Sequence, residues 1–455
     1  MELTATKPNT AKAASKAESE EIVSVKPHRT DAQIWGIYIG LFLISIVELY
    51  SASSHEVKAS NIFGPFLRHI MFLVTGLGMM LVLQRTHYQK FLKWTKWFAT
   101  VSVLFMAYTL VNGDYINGAR RSFSIGIASI QPAEMLKLSA VLVIATILCR
   151  SQKKGMRDVT DIGLWRVTGA VMLFGGLLFF QGLTNTLLLM AISLSMMVIG
   201  GVSLSKIGKA FIVLVVFAVA GLGIKVLFGT GEKKAETAED DLIVPGTEYV
   251  VARATEDSKV ANVGRLQTWV NRVNRHFKTG KWRDPINDEN QQEQYSYLAQ
   301  AHGGVFGVMP GNSRETARLP LAFTDYIYSI IVEELGLWGG LIVLTLYLWL
   351  LGRASRIASR CSRAFPALLV IGMALFIVYQ ALFHISIVTG AIPVSGQPLP
   401  LISKGGSSIF VTSIAFGIML SVSRFAVRTG SKRRDIKNEI DVLPEELQAE
   451  NPSQL

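Results

Sequence analysis

The sequence predicts an all-α polytopic membrane protein: about ten transmembrane helices, both termini cytoplasmic, and one long extracytoplasmic loop between helices 7 and 8. Three observations carry that prediction. Only 17% of the 455 residues are charged while 50% are hydrophobic, where a soluble domain carries about 25% charged residues. Apolar runs recur at the length of about 20 residues that a helix needs to cross a bilayer. Basic residues gather in every second connection between those runs, which is a topology signal.

The spans fall at roughly 32–50, 64–83, 94–111, 132–149, 164–180, 184–201, 206–228, 326–351, 364–389 and 405–427, each near the length that spans hydrocarbon. The fifth and sixth are separated only by QGLTN (181–185) and read as a tight hairpin. Orientation follows from the short loops. Arg85, Lys90 and Lys93 follow the second span, and Arg150, Lys153, Lys154 and Arg157 the fourth. Lys206 and Lys209 follow the sixth, Arg353, Arg356, Arg360 and Arg363 the eighth, and Lys432, Arg433 and Arg434 the tenth. All fall on one side if ten helices cross, and that side is cytoplasmic by the positive-inside rule.

The chain divides accordingly. Residues 1–30 and 429–455 read as disordered cytoplasmic tails, being polar or charged and poor in aromatics. Residues 31–428 form the membrane domain, with 229–325 as the long outer loop folding back over the membrane surface. The N-terminus lacks the layout of a cleaved signal peptide, so the first span is expected to stay. The net charge of +12 is spread among the loops rather than gathered on one arm, which argues against a nucleic-acid partner. Cys149 and Cys361 are remote from one another in sequence and offer neither a disulfide framework nor a metal site.

Several outer features break the pattern. The loop 112–131 places Arg120 and Arg121 on the wrong side of the charge rule. They read either as snorkelling arginines among headgroups or as a receptor for phosphate, whose geometry the guanidinium fork matches. Asn117–Gly118 before them marks a tight turn. QPAEMLKL (131–138) opens the fourth span with Pro132 at a first helical position and Glu134 in the first turn. Lys137 shares its face with Glu134 and points into hydrocarbon, either as a helix cross-link or toward a functional cavity. RLQTWVNRVNRHFK (265–278) carries Leu266, Trp269, Val270, Val273 and Phe277 on one stripe flanked by Arg265, Arg272, Arg275 and Lys278, the pattern of an interfacial helix. The turn AIPVSGQPLPLISKGGSS (391–408), with three prolines and Gly405–Gly406, must be buried in protein or line a watery cavity, and Lys404 adds a cation there.

LPLAFTDYIYSIIVEELGLWGG (319–340) sets Asp325 at the lip of a span and Glu333 and Glu334 beyond it. On a helix starting near Asp325, Glu333 lies about 12 Å along the axis and Glu334 faces the opposite side. Paired hydrolase carboxylates stand roughly 5–9.5 Å apart, so Asp325 is a lone candidate base beside cations. That combination suits a hydroxyl attacking a carbon that bears a diphosphate, with Arg and Lys steadying the leaving group. A helix cap or an inter-loop ion pair explains Asp325 equally well.

Taken together, NGARRS, QPAEMLKL, GGVFGVMPGNS (303–313), LPLAFTDYIYSIIVEELG and PLPLISKGGSS resemble the SEDS family (FtsW and RodA) of bacterial cell-wall proteins, over nearly the whole chain. The NGA-x-R and QPAE stretches are closer to the division members (FtsW) than to the elongation members. The resemblance implies a peptidoglycan glycosyltransferase that polymerises lipid II at the outer face of the cytoplasmic membrane, at the septum. It implies Asp325 as the essential acid and Arg121 as the motif arginine. Glu134 and Lys137 match the family's charged positions on the fourth span. Arg120, Lys404 and Ser407 complete the expected substrate-binding set. Class B penicillin-binding proteins and other divisome proteins are the implied partners. A divalent cation, magnesium or manganese, is left open, and no other cofactor is implied. The sequence departs from the family at Phe323 (usually His), Leu321 (Glu), Ser122 (Trp) and Lys404 (Tyr), and 181–186 lacks the usual acid; without the His, the Asp325 carboxylate is left as the base. Two rival functions stand beside the polymerase: a lipid II flippase, and a non-catalytic divisome scaffold that activates a transpeptidase.

Overall fold

The structure, a computed structural model, describes residues 29–55, 63–116, 119–125, 128–152, 158–228, 265–287, 290–361 and 363–425. Both expected tails, apart from residues 29–30, and the first part of the expected outer loop lie outside these residues. Helices occupy all ten expected segments: α1 (Ala32–His55), α2 (Phe63–Leu83), α3 (Tyr88–Asn112), α4 (Pro132–Ser151), α5 (Asp161–Gln181), α6 (Leu183–Ile199) and α7 (Leu204–Phe228), then α11 (Ile327–Arg360), α12 (Ala364–Val388) and α13 (Gly406–Phe425). Six of them, α1, α4, α5, α11, α12 and α13, are by themselves long and apolar enough to cross a membrane. The chain is an integral membrane protein of mostly helical fold.

The core is built around α4, α12 and α13, which are buried on most of their faces, whereas α1 and α11 expose broad apolar flanks to lipid. Between apolar helices in lipid the attraction comes from close packing rather than from water exclusion, and small residues provide the closeness. A Cβ on Gly372 of α12 would meet Val141 of α4 at 2.7 Å and Met196 of α6 at 2.8 Å. Gly76 of α2 likewise admits Ser413 of α13.

Two features differ from the sequence reading. The connection between α3 and α4 is a three-stranded antiparallel sheet in an otherwise helical chain: β1 (Asp114–Ile116), β2 (Ala119–Ile125) and β3 (Ala128–Ile130). Its register pairs Ile116 with Ala119 and Phe123 with Ile130. The polar–apolar alternation of Ser122, Phe123, Ser124 and Ile125 is the period of a strand. Asn117 and Gly118, expected to form the turn, lie outside the described residues.

The second difference concerns the helix after the outer loop. Asp325 does not begin it but ends a separate short helix, α10 (Ala322–Asp325), and α11 starts after non-helical Tyr326. Helix α11 is itself broken at Gly336 (φ 71°, ψ −173°), a conformation open to Gly and costly for side chains. The break frees backbone groups that the GGVFGVM stretch satisfies: Val308 N–H donates to Glu333 O (3.0 Å), Met309 N–H to Glu334 O (2.9 Å) and Leu337 N–H to Gly304 O (3.0 Å). Gly307 (φ 79°) sits so close to the Glu334 carbonyl that a Cβ there has no room.

The described part of the outer segment is α8 (Arg265–Phe277), a 3₁₀ turn at Lys281–Arg283, α9 (Gln291–Gly303), an irregular run and α10. Helix α9 docks over the ends of α11 and α12: Ser296 Oγ donates to Val388 O (3.0 Å) and shares a bond with Ser329 Oγ (2.7 Å), and Gln300 Nε2 donates to Val388 O (2.9 Å). This part of the segment therefore folds onto the helices. Cys149 and Cys361 are both buried thiols that form no disulfide with one another.

Candidate active site

The site forms where the proline-rich turn after α12 meets α10. Ser403 Oγ donates to Thr324 O (2.7 Å) and Lys404 N–H to Phe323 O (2.8 Å), which clamps the turn onto α10. Leu321 and Leu401, one in each partner, hold positive φ (59° and 68°), a strain that persists only where surroundings over-determine it. Gly396 in the turn lies directly over Asp325, and a Cβ built on it would come within 2.6 Å of Oδ2. Only a residue without a side chain leaves the carboxylate its place.

Asp325 keeps one accessible face while protein crowds its other sides. Burial pushes its carboxyl up to about 6, and the guanidinium groups of Arg121 and Arg272 pull in the opposite direction without cancelling the burial. Arg121 comes from β2 and is half-buried; its neighbour Arg120, on the opposite strand face, is exposed and donates to Leu110 O (3.3 Å). The two arginines therefore turn apart, and it is Arg121 whose charge acts on Asp325.

Arg272 is the residue that the sequence reading missed as a site member, having placed it among headgroup contacts. Its Nη1 donates to Val394 O in the turn (3.2 Å) and its charge reaches Asp325 and Tyr326. Elsewhere on the stripe of α8, Val270 and Phe277 are exposed and Val273 is half-buried. A signal was present: Arg272 adds positive charge to a side of the membrane that the charge rule should leave poor in it. Tyr326 packs beside Asp325, fully buried, and burial pushes its phenol up, so it stays protonated.

The other expected members sit farther off. Lys137 is buried completely, with Nζ 2.8 Å from Glu134 Oε1, 3.3 Å from Gln380 Oε1 and over the Phe376 ring at 5.8 Å. Gln380 in turn donates to Pro398 O (3.3 Å). Glu134 and Lys137 thus hold the turn from below through Gln380. Lys404 faces α2, where its charge acts on His69. Ser407 is half-buried in the first turn of α13. Phe323, where the family usually has His, packs half-buried against the core.

The turn has further anchors that the sequence did not reveal. Thr184 Oγ1 bonds Ser395 Oγ (2.5 Å) and Asn185 Oδ1 accepts from Gln397 Nε2 (3.1 Å), so the α5–α6 hairpin reaches the site. His384 Nε2 accepts from Tyr328 N–H (3.4 Å), which leaves Nδ1 to carry the proton donated to Gln397 O (2.6 Å).

Glu333 and Glu334 are fully buried and do not join Asp325. Glu333 accepts from Ser313 Oγ (2.5 Å), Arg314 N–H (2.9 Å) and Glu315 N–H (3.4 Å). Glu334 accepts from Gly311 N–H (3.2 Å) and from Ser51 Oγ. These acids fasten the GNSRE loop to α11. Among the described residues no group of three His, Cys, Asp or Glu side chains could hold a metal. Asp325 also stands between two arginines, a donor set that does not fit a resident divalent cation.

Fold and site together define an integral membrane protein with a half-buried, protonatable carboxylate on which two arginine charges act, beside a proline-rich turn at one end of its helices. Comparison with known proteins supplies the lineage. Residues 31–232 and 254–428 match the FtsW/RodA/SpoVE family of cell cycle proteins, and the chain belongs to that family. It is 28% identical over 399 residues to the probable peptidoglycan glycosyltransferase FtsW of Aliivibrio salmonicida, covering 86% of this chain and 88% of that one. It is 32% identical over 338 residues to the FtsW of Dichelobacter nodosus, covering 72% and 73%. Among solved structures, a chain of a peptidoglycan synthase complex aligns with TM-score 0.59 and 22% identity over 87% of this chain and 97% of its own. RodA of Thermus thermophilus aligns with TM-score 0.55 and 20% identity over 87% and 96%.

Proposed function

We propose that this protein is a peptidoglycan glycosyltransferase that polymerises lipid II during cell division, with Asp325 as the general base. The observation that carries the reading is a carboxylate raised to about 6 and flanked by Arg121 and Arg272, in a chain of this family. A base is most effective when its pKa lies near the working pH, and burial brings Asp325 there. The accessible face of the carboxylate takes the proton of the acceptor 4-hydroxyl. That oxygen attacks the anomeric carbon of the lipid-linked donor from the side opposite the diphosphate, the new C–O bond forms with inversion, and the bond to the diphosphate breaks. Arg121 and Arg272 meet the charge that gathers on the leaving group, the role fixed cations fill best in a site partly shielded from water.

The charge pattern of the loops supports the topology that this chemistry needs, with both termini in the cytoplasm and Asp325 at the outer face of the cytoplasmic membrane. The family relation supports a septal location, and the relation to a peptidoglycan synthase complex supports a transpeptidase partner. Purified full-length protein given lipid II is expected to make glycan polymer, and Asp325→Asn to make none above background. Polymer from the Asn variant at the normal rate sinks the assignment, and translocation of lipid II across liposomes without polymer supports a flippase instead.

A further inference from the structure

At the end of the bundle away from Asp325, a cavity of about 1010 Å³ opens between the start of α1, the α2–α3 connection and the end of α13. The two ends are well separated: Arg353, which marks this end by its contact with Asp31, lies roughly 40 Å of helical rise beyond the start of α11. Among the described residues, three arginines line the cavity, Arg29, Arg85 and Arg424, and no carboxylate does. The nearest acid, Asp31, is spent elsewhere: Oδ1 accepts from the N–H groups of Gln33 (3.0 Å) and Ile34 (3.1 Å), and Oδ2 takes the Arg353 Nε (2.9 Å). Among the described residues, Arg29, Arg85 and Arg424 therefore share this cavity without a carboxylate. Arg424 lies over the Phe425 ring at 5.5 Å, and its Nε is buried with no acceptor among the described residues. An amide-to-indole bond from Trp35 Nε1 to Gln84 Oε1 (3.2 Å) braces the wall, and exposed Ile39 carries an apolar surface from the arginines along the lipid-facing side of α1.

We propose that this cavity binds the phosphate of an anionic phospholipid from the adjoining leaflet, the arginines taking the phosphate and the Ile39 flank an acyl chain. Guanidinium groups match phosphate oxygens in geometry as well as charge, and basic pockets between helices on the positively charged side of a membrane protein are suited to anionic headgroups. A snorkelling arginine needs only water and headgroups at large. Arg29, Arg85 and Arg424 instead line one cavity together, where a single phosphate can meet more than one guanidinium. The assignment rests on the membrane fold and not on the polymerase reading.

The full-length protein in neutral detergent, titrated with dihexanoyl phosphatidylglycerol, dihexanoyl phosphatidylcholine or inorganic phosphate, gives the test through its thermal unfolding midpoint. The glycerol lipid is expected to raise the midpoint at concentrations where the choline lipid and phosphate do not. Arg85→Gln is expected to weaken the response about fivefold and Arg85→Gln with Arg424→Gln about 25-fold. Arg356→Gln, an exposed arginine on α11 outside the cavity, is expected to leave it unchanged. An undiminished response in the variants, an equal response to the choline lipid or to phosphate alone, or an equal loss in Arg356→Gln overturns the proposal. Should the double variant not fold, the exposed Arg85→Gln change decides alone.

Discussion

Replacing Asp325 by Asn should stabilise the protein while abolishing its activity, and the size and pH dependence of that gain follow from the site. Burial raises the carboxyl from an ordinary 3.8 to about 6, so holding it charged above that pH costs the folded state up to about 3 kcal/mol. Asn fills the same space without a charge and avoids that cost. Between pH 4 and 6 the folded wild type holds this proton more tightly than the unfolded chain, so wild-type stability falls as pH rises through that window. Below it, Asp325 is protonated in both states and the advantage of Asn disappears. Thermal unfolding of both proteins in the same detergent, at pH 4 and at pH 7.5, reads the difference directly. The variant should melt several degrees higher at pH 7.5 and lose most of that gain at pH 4. Equal midpoints at pH 7.5, or a gain undiminished at pH 4, would refute the claim that burial governs this carboxylate.

Three further changes probe the parts that hold the site. Gly396→Ala puts a methyl 2.6 Å from the Asp325 carboxylate and should lower polymerisation at least about tenfold, within the range a displaced general base costs, with the folded protein still recovered by gel filtration. Lys137→Met takes the ion-pair partner from Glu134, which is sealed in the helix interface, a loss of about 3–5 kcal/mol, and adding Glu134→Gln should restore most of the thermal midpoint. Glu333→Gln weakens the acceptor for three donors at Ser313, Arg314 and Glu315, so hydrogen exchange at the Arg314 and Glu315 amides should accelerate while α12 amides stay protected.

The apolar runs made the helices legible, because a span of about 20 residues admits little else in a bilayer. Asp325 stood out because a carboxylate at the lip of a span is costly and needs a reason. What stayed hidden depended on which way side chains turn and on contacts between remote segments. Arg120 and Arg121 are neighbours in sequence, yet strand alternation sends only Arg121 toward the acid. Arg272 looked like one basic residue among four on an interfacial helix until Val394 O was found holding it over the turn. Lys137 and Glu134 were singled out correctly as unusual, but their partner Gln380, which carries their influence to Pro398, is an unremarkable amide in an apolar helix. The break at Gly336 was equally silent, since its backbone groups are satisfied by a loop some thirty residues earlier. Even Glu333 and Glu334, rightly set apart from Asp325, revealed their work only once the GNSRE loop was seen fastened to them.

The most direct test of Asp325 as base is the pH dependence of polymerisation at saturating lipid II, for wild type and for Arg272→Gln. Wild type should lose rate on the acid side with a midpoint near pH 6. Because Arg272 lowers the Asp325 pKa, removing its charge should move that midpoint to higher pH, beyond any loss in maximal rate. An acid limb that stays in place in Arg272→Gln, or that survives in Asp325→Asn, would contradict the account.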